Sequence, residues 1–113
     1  MDATIDHNPR CSKSRQALEL LRERGVEPTI IKYLDTPPTV EELRTLITDA
    51  GLTVRQAVRV KEAEFTELGL LEASDDELLA AMVDHPRLIQ RPIVVTDKGV
   101  RIARPTEAID EIL

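Results

Sequence analysis

The sequence predicts an α/β fold. We expect a sheet of about four strands with helices on its faces and a helical insertion over about residues 53–90. Three observations predict it. Short β-branched runs near 3–6, 28–34 and 92–96 alternate with stretches of helical period. The first two runs bracket one helical stretch, the spacing of a βαβ unit with parallel strands and a right-handed crossover. The third run is followed by Asp97-Lys98-Gly99 and a second extended run that returns antiparallel. No repeat, low-complexity tract or linker divides the 113 residues, so 1–113 reads as a single domain large enough for a real core.

Ala3-Thr4-Ile5-Asp6 forms the first strand, with Asp6 an unusual occupant. The first helix runs from about Ser12 to Arg24. Ala17, Leu18 and Leu21 give its buried stripe and Leu20 widens it. Gly25 stops it as the left-handed cap residue. Residues 28–34 are β-branched and aromatic and predict the second strand, ended by Asp35-Thr36-Pro37-Pro38. Three capping boxes follow, Thr39 with Glu42, Thr53 with Gln56 and Ser74 with Glu77. The first opens a helix with Leu43, Leu46, Ile47 and Ala50 inward, stopped by Gly51. The second opens a short helix through about Val58. A further helical run, Lys61 to Leu68, ends at Gly69. The third box opens a helix with Leu78, Leu79, Met82 and Val83 inward, ending before Pro86. Pro92-Ile93-Val94-Val95-Thr96 is the clearest strand, with proline at its first position, where a missing donor is tolerated. Val100 to Ala103 pairs with it. Thr106 to Leu113 closes the chain as a helix with Ile109, Ile112 and Leu113 inward.

Composition narrows the function. There are 15 Lys and Arg against 21 Asp and Glu, a net charge of −6. Phosphate contacts dominate nucleic-acid affinity, so an acidic chain this short is a poor general binder of DNA or RNA. Aromatics are 2% of residues, which leaves no platform for stacking bases. Any bound anion must be held by a local basic cluster. One cysteine cannot form an internal disulfide, which fits a reducing compartment or a thiol that reacts with an outside partner. The first residues lack the basic and apolar regions of a signal peptide. No apolar run approaches the roughly 18 residues of a membrane span. These features predict a soluble, cytoplasmic protein, and we expect a monomer.

The cysteine lies in His7-Asn8-Pro9-Arg10-Cys11-Ser12-Lys13-Ser14-Arg15, where a strand turns into a helix. The first amides of a helix have no intrahelical partner and that end is positive, so a thiolate there is stabilised. Arg10, Lys13, Arg15 and His7 are nearby groups of the kind that depress a thiol pKa. Unaided, a thiol titrates near roughly 8.5. Cys11 therefore reads as a reactive thiol, with a buried structural cysteine as the alternative.

A tight turn at Asp97-Lys98 sets Thr96 opposite Gly99. Counting outward sets Arg91 opposite Arg104, each followed by proline. Like charges placed so repel. Either an oxyanion lies between the two guanidinium groups, whose paired donors suit it, or both are solvated at the sheet rim. Arg59, after Val58, reads by itself as a helix-end charge, and His85 before Pro86 as a cap. No His, Cys and carboxylate cluster has metal-ligand spacing, and no glycine-rich phosphate loop is present.

The cysteine stretch, Glu27-Pro28-Thr29-Ile30-Ile31, Tyr33-Leu34, Thr36-Pro37-Pro38-Thr39, Glu67-Leu68-Gly69-Leu70, His85-Pro86, Arg91-Pro92-Ile93-Val94-Val95-Thr96 and Arg104-Pro105 together resemble the glutaredoxin-coupled arsenate reductases. The likeness spans essentially the whole chain. Cys11-Ser12-Lys13-Ser14-Arg15 resembles a sibling branch of the well-characterised type, which has Gly-Thr-Ser-Arg after the cysteine. The resemblance implies a thioredoxin-like mixed four-stranded sheet flanked by helices, with a helical insertion and a cis Arg91–Pro92 bond beside the cysteine loop. It implies Cys11 as catalytic nucleophile, with His7 helping to lower its pKa. It implies Arg59, Arg91 and Arg104 as the arsenate-binding arginines, and Asn8, Ser14, Arg15 and Pro92 as the supporting loop. It further implies glutathione as co-substrate, glutaredoxin as protein partner and no tightly bound cofactor or metal. Two alternatives come with it. One is a thiol oxidoreductase using the same site on another substrate. The other is a redox regulator of RNA polymerase like the Spx group, which typically carries Cys-x-x-Cys. Ser14 stands at the fourth position here, which argues against such a switch.

Overall fold

The computed structural model describes residues 2–113. The chain up to Thr36, together with Arg91–Leu113, makes one compact unit, and Pro37–Gln90 makes a second. The first unit holds β1 (Ala3–Asp6), α1 (Ser12–Glu23), β2 (Thr29–Ile31), β3 (Ile93–Thr96) and β4 (Gly99–Ile102). Its sheet has the order β2-β1-β3-β4. β1 pairs β2 in parallel, as the βαβ spacing requires, and β3 runs antiparallel to both β1 and β4. The fold is a thioredoxin-like mixed four-stranded sheet flanked by helices.

The apolar pattern builds this unit's core. Ile5 and Val94 are cross-strand partners with no exposure. Ala17 and Leu21 of α1, Ala103, and Ile109 and Ile112 complete the cluster, with Leu18 and Leu20 at its margin. A large aliphatic side chain buried there contributes about 1.5–3 kcal/mol. α1 ends as its sequence requires. Gly25 takes φ +78°, its N–H donates to Arg22, and the Val26 N–H donates to Leu21, which satisfies two terminal carbonyls.

Two elements of this unit differ from expectation. The second strand covers three residues, not 28–34, and all three are exposed. β2 is an edge strand with β1 as its one neighbour, and the pairing stops where β1 stops, at Asp6 opposite Ile31. The His7 N–H closes that end on the Ile31 carbonyl at 2.7 Å. The chain then turns, with the Asp35 and Thr36 N–H groups both donating to Lys32. The closing helix, Thr106–Ile112, is a 3-10 helix. Ala108 bonds Pro105 and Leu113 bonds Asp110, each three residues back, and the Thr96 hydroxyl donates to the Ile112 carbonyl at 2.6 Å.

The second unit contains α2 (Val40–Asp49), α3 (Ala63–Glu67) and α4 (Asp75–Asp84), and takes in the whole expected helical stretch 53–90. All three capping boxes form with reciprocal hydrogen bonds. The box at Thr53 opens a 3-10 turn, Arg55–Ala57, and not an α-helix. α3 is shorter than the expected 61–68, because Glu62 is its extended cap residue. Leu43 and Ile47 of α2 and Leu78, Leu79 and Met82 of α4 are buried, all but Ile47 completely.

Candidate active site

Cys11 occupies the N-cap of α1, with extended backbone at φ −93° and ψ 122°. The loop before it is tied to the first turn of that helix. The Cys11 N–H donates to the Asn8 carbonyl at 2.9 Å, and the Arg10 N–H to Asn8 Oδ1 at 3.0 Å. The Asn8 N–H donates to Ser14 Oγ at 3.2 Å, and Ser14 is fully buried. Arg15 Nη1 donates to the Pro9 carbonyl at 2.8 Å. Asn8, Ser14 and Arg15 thus perform one task, which is to fix the loop that carries the thiol. Such local side-chain bonds explain why polar residues crowd a stretch that is neither strand nor helix.

Cys11 is a free, half-buried thiol. Burial pushes its pKa up, but a side-chain hydrogen bond from Arg91, the amides of Ser14 and Lys13 and the Arg91 charge outweigh burial and hold it below the ordinary value. The two amides act at longer range, since Cys11 closes no conventional side-chain cap bond. The cation that matters comes from the start of β3. The side-chain charges of Arg10, Lys13 and Arg15, adjacent in sequence, are not among the groups that lower the Cys11 pKa.

Arg91 is held at both ends. Arg104 Nε donates to the Arg91 carbonyl at 2.9 Å, and Arg91 Nη1 donates to the Tyr33 hydroxyl at 3.1 Å. Burial works against the Arg91 charge, and the contacts with Cys11 and Tyr33 more than offset it. Arg91 Nε is buried and donates to nothing among the described residues. The hairpin register is the one counted from the sequence, with Thr96 opposite Gly99 and Ile93 opposite Ile102. Continued outward, it brings Arg91 and Arg104 together, and the Ala103 N–H donates to the Pro92 carbonyl at 2.9 Å. The two guanidinium groups do not face each other as bare like charges, because Arg104 turns to the Arg91 backbone. The Arg91–Pro92 bond is cis, as expected, and so is Arg104–Pro105, which was not foreseen.

His7 is buried, with 6% of its surface exposed, and its Nδ1 has no hydrogen-bond partner among the described residues. Burial first, then the charges of Arg15, Arg22 and Lys32, lower its pKa, so the ring is neutral at neutral pH. It supplies no positive charge to Cys11. His7, Pro9 and the Arg15, Leu18, Glu19, Arg22 and Glu23 face of α1 line an open groove of about 620 Å³.

Arg59 belongs to the helical unit. It does not cap a helix there. Val58 bridges to Ile89 and the Arg59 N–H donates to the Leu88 carbonyl at 2.7 Å, which makes the segment extended. Its Nη1 lies 2.7 Å from Glu62 Oε1, an ion pair not aligned as a hydrogen bond. Tyr33 and Glu62 received no role from sequence reasoning. A signal for Tyr33 was present, because it is the sole tyrosine of an aromatic-poor chain. No group of three or more His, Cys, Asp or Glu among the described residues is arranged to hold a metal ion. No helix among them is long and apolar enough to cross a membrane.

Residues 7–112 match the model of the ArsC family. The chain is 51% identical over 115 residues to an arsenate reductase of Rhizobium meliloti (strain 1021), covering all of this chain and 82% of that protein. It is 53% identical over 112 residues to an arsenate reductase of Escherichia coli (strain K12), covering 97% of this chain and 79% of that one. A solved arsenate reductase from Vibrio cholerae superposes with a TM-score of 0.95 at 51% identity, over 100% of this chain and 98% of the other. With a family match across nearly its whole length and relatives at half identity, the chain belongs to the ArsC family.

Proposed function

We propose that the protein is an arsenate reductase in which the Cys11 thiolate attacks the arsenic of arsenate and displaces one oxygen as water. The observation that carries this reading is Arg91. Its guanidinium lowers the pKa of the sulfur that would attack and keeps a buried N–H free for an oxyanion. Arg104, tied to the Arg91 carbonyl, is the second arginine of the set, and family resemblance adds Arg59. The nucleophile is activated by the same charges that lower its pKa.

Reduction of arsenate to arsenite takes two electrons, and this chain has one thiol. Two outside thiols complete the balance. Glutathione adds to the arsenic bound to Cys11, with loss of a second oxygen as water. A glutaredoxin thiolate then attacks the glutathione sulfur, and the electron pair of the broken As–S bond reduces arsenic to As(III). Water hydrolyses the remaining Cys11–As bond, which releases arsenite and returns Cys11 as thiolate beside a glutaredoxin–glutathione disulfide. A glutathione-rich cytoplasm is the compartment that suits this chemistry. The Spx-type alternative finds no support, because Ser14 is buried and its hydroxyl accepts the Asn8 N–H that orders the loop.

Oxyanion binding at the thiol is tested by protection. Arsenate should slow alkylation of Cys11 by iodoacetamide in the wild type, and the protection should be lost in Arg91→Ala. Equal alkylation with and without saturating arsenate would contradict the proposal.

A further inference from the structure

We propose that Tyr33 is a positioning residue for the thiol site: its phenol oxygen, by accepting from Arg91 Nη1, aims the guanidinium that holds the Cys11 sulfur. The inference rests on the reading of Cys11 as the reacting group and extends it by one residue.

Tyr33 lies in the turn that follows β2, between exposed Lys32 and Leu34, yet only 1% of its own surface is exposed. That turn is fixed by two N–H groups donating to the Lys32 carbonyl, so the backbone delivers the ring inward. A tyrosine ring has few torsions to freeze, which makes its oxygen a well-defined acceptor. The hydroxyl meets Arg91 Nη1 at 3.1 Å. Arg91 needs such an anchor. Its backbone is held through the carbonyl by Arg104 Nε, but a long flexible stem separates that point from the guanidinium. The guanidinium is planar and rigid. Fixing Nη1 fixes the directions of every other N–H in the plane, including those toward the sulfur and the buried Nε. Without the phenol oxygen, Nη1 would be left unpaired and the fork would be free to turn away from Cys11.

Tyr33→Phe keeps the ring and removes only the acceptor. We expect the pH midpoint of Cys11 alkylation by iodoacetamide to rise. Below the midpoint the rate should fall by about threefold or more, the loss that follows a half-unit rise in thiol pKa. Arg91→Ala should show at least the same loss, and the double variant no more than Arg91→Ala alone, because Tyr33 acts through Arg91. A wild-type alkylation profile in Tyr33→Phe, or fully additive losses, would overturn the proposal. A purely structural tyrosine would lower the melting temperature and leave that profile unchanged. A second readout needs no change at Tyr33. The chain has one tyrosine and no tryptophan, so its intrinsic emission reports on this residue alone. The emission should change with pH at the alkylation midpoint and lose that change in Cys11→Ser. Emission flat across the midpoint would contradict the proposal. Neither readout uses arsenate, so failure to turn over arsenate would count against the proposed function and leave this test intact.

Discussion

The guanidinium of Arg91, at the entrance to β3, acts on the sulfur of Cys11, at the N-cap of α1, and helps to hold its pKa below the ordinary value. The contact joins two ends of the sheet's connectivity and gives the thiol a cation that its own loop does not provide. The local amides of Ser14 and Lys13 and the remote Arg91 therefore act together on the Cys11 pKa. The expected alkylation midpoint lies below the roughly 8.5 of a free cysteine and rises in Arg91→Ala. An unshifted midpoint in that variant would show that the helix terminus alone sets the pKa.

Ser14 is fully buried and accepts the Asn8 N–H. Ser14→Ala leaves that amide without its partner, which costs about 1–3 kcal/mol. Thermal unfolding should show the loss, together with slower alkylation of Cys11 as the loop loosens. A melting temperature equal to wild type would mean that the loop does not depend on this bond.

His7 gives a pH dependence with a definite sign. Burial and the nearby cations place its folded pKa below the unfolded value of about 6.5. Between the two values the unfolded chain binds a proton that the folded chain refuses. Stability is thus complete above about pH 6.5 and falls as pH drops through the window toward the folded value. Melting curves at neutral and mildly acidic pH should show a larger acid loss for wild type than for His7→Gln. Equal losses would place the acid sensitivity elsewhere.

Arg59 is ion-paired with Glu62 and partly buried. If it serves the oxyanion, Arg59→Ala should weaken arsenate or sulfate binding by tenfold or more, about 1.4 kcal/mol. The melting temperature should move by only a few degrees, since the pair is partly solvated. Binding equal to wild type would remove Arg59 from the site.

Much of this was legible before the structure. Periodicity located α1, α2 and α4, with glycine stops after the first two and Pro86 after the third, because amphipathic helices announce themselves over several turns. The three capping boxes are local signals and all formed. The turn at Asp97-Lys98 determined the hairpin register, and through it the meeting of Arg91 and Arg104. What sequence could not give was long-range. The end of β2 at Ile31 is imposed by its neighbour β1, while the β-branched run continues past it. The closing segment satisfies its amides three residues back and ties into Thr96, so its apolar spacing reads as α-helical although its bonds are not. The sequence sets Arg10, Lys13 and Arg15 beside the thiol, whereas the guanidinium that acts on its sulfur is that of Arg91, which is remote in sequence. Tyr33 reads in sequence as one more strand residue, and its bond to that arginine joins positions 58 residues apart.

The most direct test of the central claim is arsenate-dependent oxidation of NADPH in a coupled assay with glutathione, glutaredoxin and glutathione reductase, run on wild type beside Cys11→Ser. The account predicts turnover in wild type that requires both glutathione and glutaredoxin and disappears in the variant. Turnover that survives in Cys11→Ser, or no turnover in a wild-type protein whose Cys11 is still readily alkylated, would contradict it.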